Sequence, residues 1–200
     1  MFVITADQVD SRSTRDLVGE VVADLNKRLK KQLTLAADRT AGDELQLLVD
    51  RAETALDVVL QLTRSGRWSV GCGVGAVAEP LPRSIRETTG DAFVAARAAV
   101  DRAKRRQTRF ALEGTHGSAP DAEALIDLLL VLRSRRSDEG WEIVDLVSAG
   151  MTQAAAAKQL GITPQAASKR ALAAELRAEQ AAIPALTRLL DNLGLAASNP

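Results

Sequence analysis

The hydrophobic period of this chain changes once, near residue 115, and that change limits the available folds more than any other feature of the sequence. Before it, short apolar runs alternate with stretches that repeat every three to four residues, the mark of strands interleaved with helices. Beyond it, every periodic stretch has the helical repeat. A chain of 200 residues with 46% hydrophobic content can bury a core in each part.

In the first part, "FVITA" reads as a strand ending at Asp7, and "STRDLVGEVVADLNKRLKK" repeats Leu17, Val21, Val22, Leu25 and Leu29 on one helical face. "LTLAADRTAGDELQLLV" reads as two strands joined by a turn in which Gly42 supplies backbone freedom. "AETALDVVLQLTRSG" is a helix stopped by Gly66, "RWSVGCGVGAVA" a glycine-rich strand, "GDAFVAARAAVDRAKRR" an alanine-rich helix and "TRFALEG" a last strand. The order β-α-β-β-α-β-α-β begins with the six elements of a ferredoxin-like split βαβ domain. The expected class is therefore α+β, with an antiparallel sheet covered by helices on one face.

"GTHGSAPDAEA" marks the boundary, rich in Gly, Ser and Pro and without periodicity. It divides the chain into a first domain at 1–115, a linker at 116–120 and a helical domain at 121–200. The basic and acidic residues balance at 26 each, so no global field draws the chain to nucleic acid or membrane, although a local patch can suffice. No run approaches the roughly 20 apolar residues of a membrane span. The acid at position 7 and the lack of a basic start argue against a signal peptide. The lone Cys72, in an apolar strand, reads as a small core residue of a reducing compartment, and His116 stands alone. Together these point to a cytoplasmic chain with no membrane partner.

"MTQAAAAKQLGITPQAASKRAL" is the most specific stretch. Thr152 and Thr163 are placed to cap two successive helices, Gly161 to break the first, and Pro164 to open the second. Ala156 and Ala157 let two helices cross closely, with Leu160, Ile162 and Ala167 as the shared apolar contact. Over about twenty residues this resembles the helix-turn-helix of sigma-factor region 4 and of many bacterial response regulators, here at 152–176. The resemblance implies a second helix lying in the DNA major groove. Gln165, Ala166, Ser168 and Lys169 would then face base edges, and Lys158, Arg170 and Arg177 would lie near phosphates. Acids cluster before the motif (Asp138, Glu139, Glu142, Asp145), so affinity per monomer should be weak, and a homodimer is expected. "AAIPALTRLLDNLGL" and "ALIDLLLVL" are its candidate interfaces and equally candidate core. A helical hairpin that touches no DNA remains the plain alternative.

In the first domain Asp7 ends one strand and Asp43 sits at the tip of the next hairpin. In a split βαβ sheet the two carboxylates can converge, an arrangement that holds Mg²⁺ or Mn²⁺ against a triphosphate. Turn or cap chemistry explains each acid equally well. Ser11 and Arg12 lie where a helix N-terminus follows the first strand, a place for phosphate or for a simple cap. "FVITADQVDSR", "AGDEL" and "GDAFVAARAAV" resemble segments of the nucleotidyl-cyclase superfamily, which includes GGDEF domains. With the helical C-terminal part, "ITADQVDSR", "GDELQLL" and "GDAFVAAR" look like the SatD-like family of bacterial proteins. The resemblance implies a nucleotide site with Asp7 and Asp43 on metal, Gly42 and Glu44 in the signature turn, and Arg97 as the transition-state arginine. Ala41 and Leu45 depart from the signature, and Phe93 stands where the family has an asparagine. The metal half is kept while the transition-state half is incomplete, so binding is expected rather than turnover. The basic run "RAKRRQTR" at 102–109 reads as a solvated helix end, with a nucleic-acid patch as the alternative.

Three readings follow. One is a transcription regulator that binds double-stranded DNA and is set by a nucleotide, a cyclic dinucleotide or ATP. The others are a divergent nucleotidyl cyclase with a helical tail and a scaffold that binds no DNA.

Overall fold

The computed structural model describes residues 1–114 and 117–197, and His116 lies outside them. The chain is α+β. Its described residues form a five-stranded mixed sheet and eight α-helices. It divides into two compact units, the first made of Met1–Asp127 and the segment from Leu186 onward, the second of Leu128–Ala185.

The first unit holds β1 (Phe2–Gln8), α1 (Val18–Arg28), β2 (Leu35–Arg39), β3 (Glu44–Val49), α2 (Ala52–Thr63), β4 (Trp68–Val74), α3 (Asp91–Ala103) and β5 (Phe110–Gly114). The strand order is β2-β3-β1-β4-β5. The first four strands run antiparallel, with Asp7 opposite Glu44 on β3 and Ser69 on β4. β5 is parallel to β4, so the expectation of an antiparallel sheet is corrected. A strand–helix–strand connection returns the chain in the same direction, as β4-α3-β5 does here. The expectation of helices on a single face also fails. Every residue of β3 and β4 is buried, which requires cover on both faces.

Glycines set how α3 meets the sheet. A Cβ at Gly73 would lie 2.1 Å from the Ala92 carbonyl oxygen, and one at Gly71 2.2 Å from the Val100 nitrogen. The helix answers with its own small residues, Ala92, Ala96, Ala99 and Ala103, all fully buried. The same face carries Val3 and Leu48, which pack with Ile85 and Phe93. Cys72 is buried within β4, and burial pushes its thiol pKa up to about 12, in keeping with a core residue.

α1 is shorter than the sequence pattern suggests, with Leu17 at its cap and Leu29 just beyond its end. Gln8 holds the preceding loop. Its Nε2 donates to the Thr14 hydroxyl (3.1 Å) and the Arg15 carbonyl (2.7 Å), while its Oε1 accepts from the Leu17 N–H. The hairpin turns as expected. Gly42 has φ 55°, a left-handed conformation that favours glycine.

α4 (Ala119–Ser134) begins inside the stretch expected to be a linker. Its first half belongs to the first unit because Glu123 is drawn into the sheet edge. Glu123 accepts from the Leu112 N–H at 2.7 Å and from Arg102 Nη2 at 2.7 Å, and it also meets Arg106. Asp127 meets Arg106 and the Thr108 hydroxyl. The run at 102–109 is therefore not a merely solvated helix end: Arg102 and Arg106 bind α4. The end of α8 (Leu176–Ala196) also returns to this unit, with Leu186, Leu190 and Leu193 buried and Gly194 beside the Phe2 ring.

The second unit contains α5 (Asp138–Ser148), α6 (Gln153–Gln159), α7 (Pro164–Ala173) and the adjoining parts of α4 and α8. Its core joins Ile143, Val144, Ala156, Ala157, Ala167, Ala171, Ala174 and Leu176, with Leu160 and Ile162 packed against them. Glu175, at φ 53°, separates α7 from α8, and Pro184 lies inside α8. The break is held by Arg136, whose side chain is 1% exposed and whose Nε donates to the Ala174 carbonyl at 2.7 Å. Arg136 and Arg133 both pair with buried Glu179, and both guanidinium groups lie 4.8 Å from the Trp141 ring centre.

Gly73→Ala should cost at least about 1–3 kcal/mol, because backbone rather than a movable side chain blocks the new methyl. Gly19→Ala, in α1 with nothing within 4 Å, should stabilise by up to about 1 kcal/mol. Urea unfolding of the two variants checks the pair. Equal stabilities would refute the close approach of α3.

Candidate functional site

Two groups of side chains stand out, one in each unit. In the first, the ends of β1 and β3 bring Asp7 and Glu44 together in register, with Asp43 preceding Glu44 in the turn. Asp7 lies opposite Glu44, and the Gln8 N–H donates to the Asp43 carbonyl at 3.0 Å. Antiparallel partners share a face, so the Asp7 and Glu44 side chains stand on the side covered by α3.

Each acid already has a partner from this chain. Lys104, just past the end of α3, places its Nζ 2.9 Å from the Asp7 carboxylate. The Ser11 hydroxyl donates to the Asp43 carboxylate. Glu44, only 4% exposed, receives a two-pronged bond from Arg97, with Nη2 at 2.6 Å, and a bond from the Thr40 hydroxyl at 2.7 Å. The hydrogen bond to Glu44 raises the Arg97 pKa despite partial burial. For Lys104, burial acts to lower the pKa. The hydrogen bond to Asp7 and the charges of Asp7, Asp101 and Glu44 outweigh it, so the net shift is upward.

Asp7 and Glu44 form one group with Lys104 and Arg97, and Ser11 with Asp43 form another at the hairpin turn, where Gly42 is exposed. Arg12 is exposed, in the loop after β1. Lys104 is the member that sequence reasoning missed. It lay within the run read as solvated, and only the three-dimensional path of α3 carries it to Asp7. The acids are hard oxygen donors of the kind Mg²⁺ takes, but the Lys104 ammonium stands where a cation bound to Asp7 would stand. Among the described residues no group of three or more His, Cys, Asp or Glu gathers to hold a metal. As arranged, Asp7 and Glu44 are paired with Lys104 and Arg97.

The second group lies on α6 and α7. Thr152 caps α6 by accepting from the Ala155 N–H at 3.1 Å, and Thr163 caps α7 by accepting from the Ala166 N–H at 3.2 Å. Between them Gly161 takes φ 65°. Ala167, Ala171 and Ala174 turn inward, which leaves Gln165, Ser168, Lys169 and Leu172 exposed on the opposite side. Ala166 is half-buried, while Thr163 and Lys158 are exposed. Arg170 is not free for a phosphate: its Nη1 lies 3.1 Å from the Glu142 carboxylate. From Gln153 to Ala174 the chain carries Lys158, Lys169 and Arg170 and no acid. Among the described residues no helix is long and apolar enough to cross a membrane.

The upward shift at Lys104 fixes a pH dependence. Its stabilising effect is complete below the unfolded-state value of 10.5 and disappears as pH rises through the higher folded-state value. Lys104→Gln should therefore lower stability at pH 7 by up to about 1 kcal/mol, a small effect because the pair is partly solvated. The gap from wild type should close above about pH 10.5. Thermal unfolding across that range checks it, and a gap independent of pH would contradict the Asp7–Lys104 pairing. No protein-family model matches the chain, and neither a curated protein nor a solved structure does.

Proposed function

We propose that this chain is a DNA-binding transcription regulator, with α6 and α7 acting as a helix-turn-helix and α7 entering the major groove. The observation that carries the reading is the exposed side of α7. Two threonine-capped helices joined at a left-handed glycine turn a polar ridge outward, in a 22-residue stretch with cations and no acid. In this reading Gln165, Ser168 and Lys169 read base edges, and Lys158 contacts phosphate. Arg170 reaches phosphate only by leaving Glu142. Few cations are committed to the backbone, so one copy binds weakly, and two copies on a two-fold site supply the affinity.

The first unit is proposed as the sensing part. Its support is the run β1-α1-β2-β3-α2-β4 with spatial order β2-β3-β1-β4 and alternating direction, the layout of a ferredoxin-like split βαβ domain of the cyclase type. Lys104 and Arg97 are the groups for a nucleotide phosphate, which would exchange for Asp7 and Glu44 as their partner. Phe93, one turn before Arg97, packs in an apolar cluster, so no polar group stands there to complete a cyclase transition-state pair. This favours a sensor over an enzyme.

Binding to a randomised duplex pool tests the first claim. The wild-type chain should bind in a salt-dependent way, and Lys158→Ala with Lys169→Ala should weaken it and flatten the log–log salt slope by roughly 1. An unchanged slope would defeat the assignment. A melting-temperature panel of ATP, GTP and cyclic dinucleotides tests the second claim. A ligand at one hundred times its dissociation constant should stabilise by about 2.7 kcal/mol, and Lys104→Gln should abolish the gain. A panel that leaves the melting curve unmoved would remove the sensing role.

A further inference from the structure

On the exposed side of α7, Leu172 does not belong with its neighbours. It is 75% exposed, more than any other large apolar side chain among the described residues, and it shares the lining of a surface pocket with Gln153, Ser168, Ala171, Glu175, Leu176 and Arg177. Helical geometry places it directly in line with Gln165. The two are seven residues apart, nearly two full turns, and both point away from the seam formed by Ala167, Ala171 and Ala174. Ser168 and Lys169 fill the turn between them. The ridge from Gln165 to Leu172 is about 10 Å long, roughly the rise of three base pairs.

An isolated surface leucine on an ordinary face calls for no explanation. Here the face is the one assigned to the major groove, with Lys169 before Leu172 and Glu175 three residues beyond it. Leucine offers a base edge no hydrogen bond. The only apolar group a major groove presents is the 5-methyl of thymine.

We propose that Leu172 is a specificity-determining residue that selects a thymine methyl, about three base pairs from the base read by Gln165. The inference rests on the DNA-binding reading and deepens it. Burying one methyl against the leucine discriminates by about fourfold, a preference rather than an absolute requirement. Lys158 keeps the helix on the backbone whatever base Leu172 meets, so loss of the leucine should relax one position without abolishing binding.

The experiment selects duplexes from a random pool with the full chain and then replaces each thymine of the selected site, one at a time, by deoxyuridine, which lacks only the methyl. For the wild type, one replacement should weaken binding about fourfold, and 5-methylcytosine at that position should be tolerated better than cytosine. Leu172→Ala should bind the thymine and deoxyuridine duplexes equally and should lose preference at that position alone in a repeated selection. Because Leu172 is exposed, the variant should fold as the wild type does, which its melting curve checks. If the wild type selects a site but no single methyl matters, or if Leu172→Ala keeps the same methyl dependence, the assignment of Leu172 is wrong while the DNA-binding reading stands. If Leu172→Ala changes the sedimentation of the free protein instead, the leucine is a protein contact and the proposal falls. If the wild type enriches no duplex, both readings fail together.

Discussion

Backbone-to-backbone approach between α3 and β4 is the constraint on which the first unit depends. Gly71 and Gly73 leave room for a helix to lie on the strand with no side chain between them, and the alanines of α3 complete the fit. With ordinary side chains at those positions the helix would ride higher, and the reach of Arg97 to Glu44 and of Lys104 to Asp7 would be lost. The polar cluster at the end of β1 thus follows from missing side chains two and four residues further along the neighbouring strand. Glu44 makes the point sharply. A carboxylate this buried is tolerable only because a guanidinium meets it with two bonds, and that guanidinium is held at the right height by glycine.

The second unit applies the same small-residue principle to helices alone. Its core is largely alanine, which lets α6 and α7 cross closely but contributes little apolar area per residue. Orientation is fixed instead by a buried charge cluster in which Glu179 meets Arg133 and Arg136 over the Trp141 ring. Such a cluster gains little net stability over an apolar substitute, but it penalises any arrangement that leaves one charge unpaired. It therefore acts on geometry. Arg136 also takes the last carbonyl of the α7 turn, so the end of α7 is set by the same residue that anchors α8.

Much of this was legible in the sequence because it is encoded locally. The hairpin around Gly42, the two threonine caps, the turn at Gly161 and the alanine seam all follow from residues a few positions apart. What was not legible depends on distant partners. Arg97 finds Glu44 across 53 positions, and no local signal distinguishes that arginine from a solvated one. Lys104 was hidden in a basic run whose members go to different acids. The parallel β5 was available in principle, since a strand, a helix and a second strand seldom return antiparallel, but the preceding hairpin pattern dominated the reading. Leu172 was passed over because apolar residues in helices are read as core, and only its exposure separates it from Leu176.

The division of the chain also bears on the order in which it can fold during synthesis. The first unit takes most of its mass from the opening 127 residues but finishes with a segment that begins at Leu186, and Leu190, Leu193 and Gly194 close over surface that includes the Phe2 ring. A nascent chain leaving the ribosome has made its whole sheet long before the piece that covers it exists. The second unit is contiguous and complete in itself, so it can settle first although it is made later. The nascent sheet must wait with part of its core uncovered, and a truncation before Leu186 would leave that wait permanent.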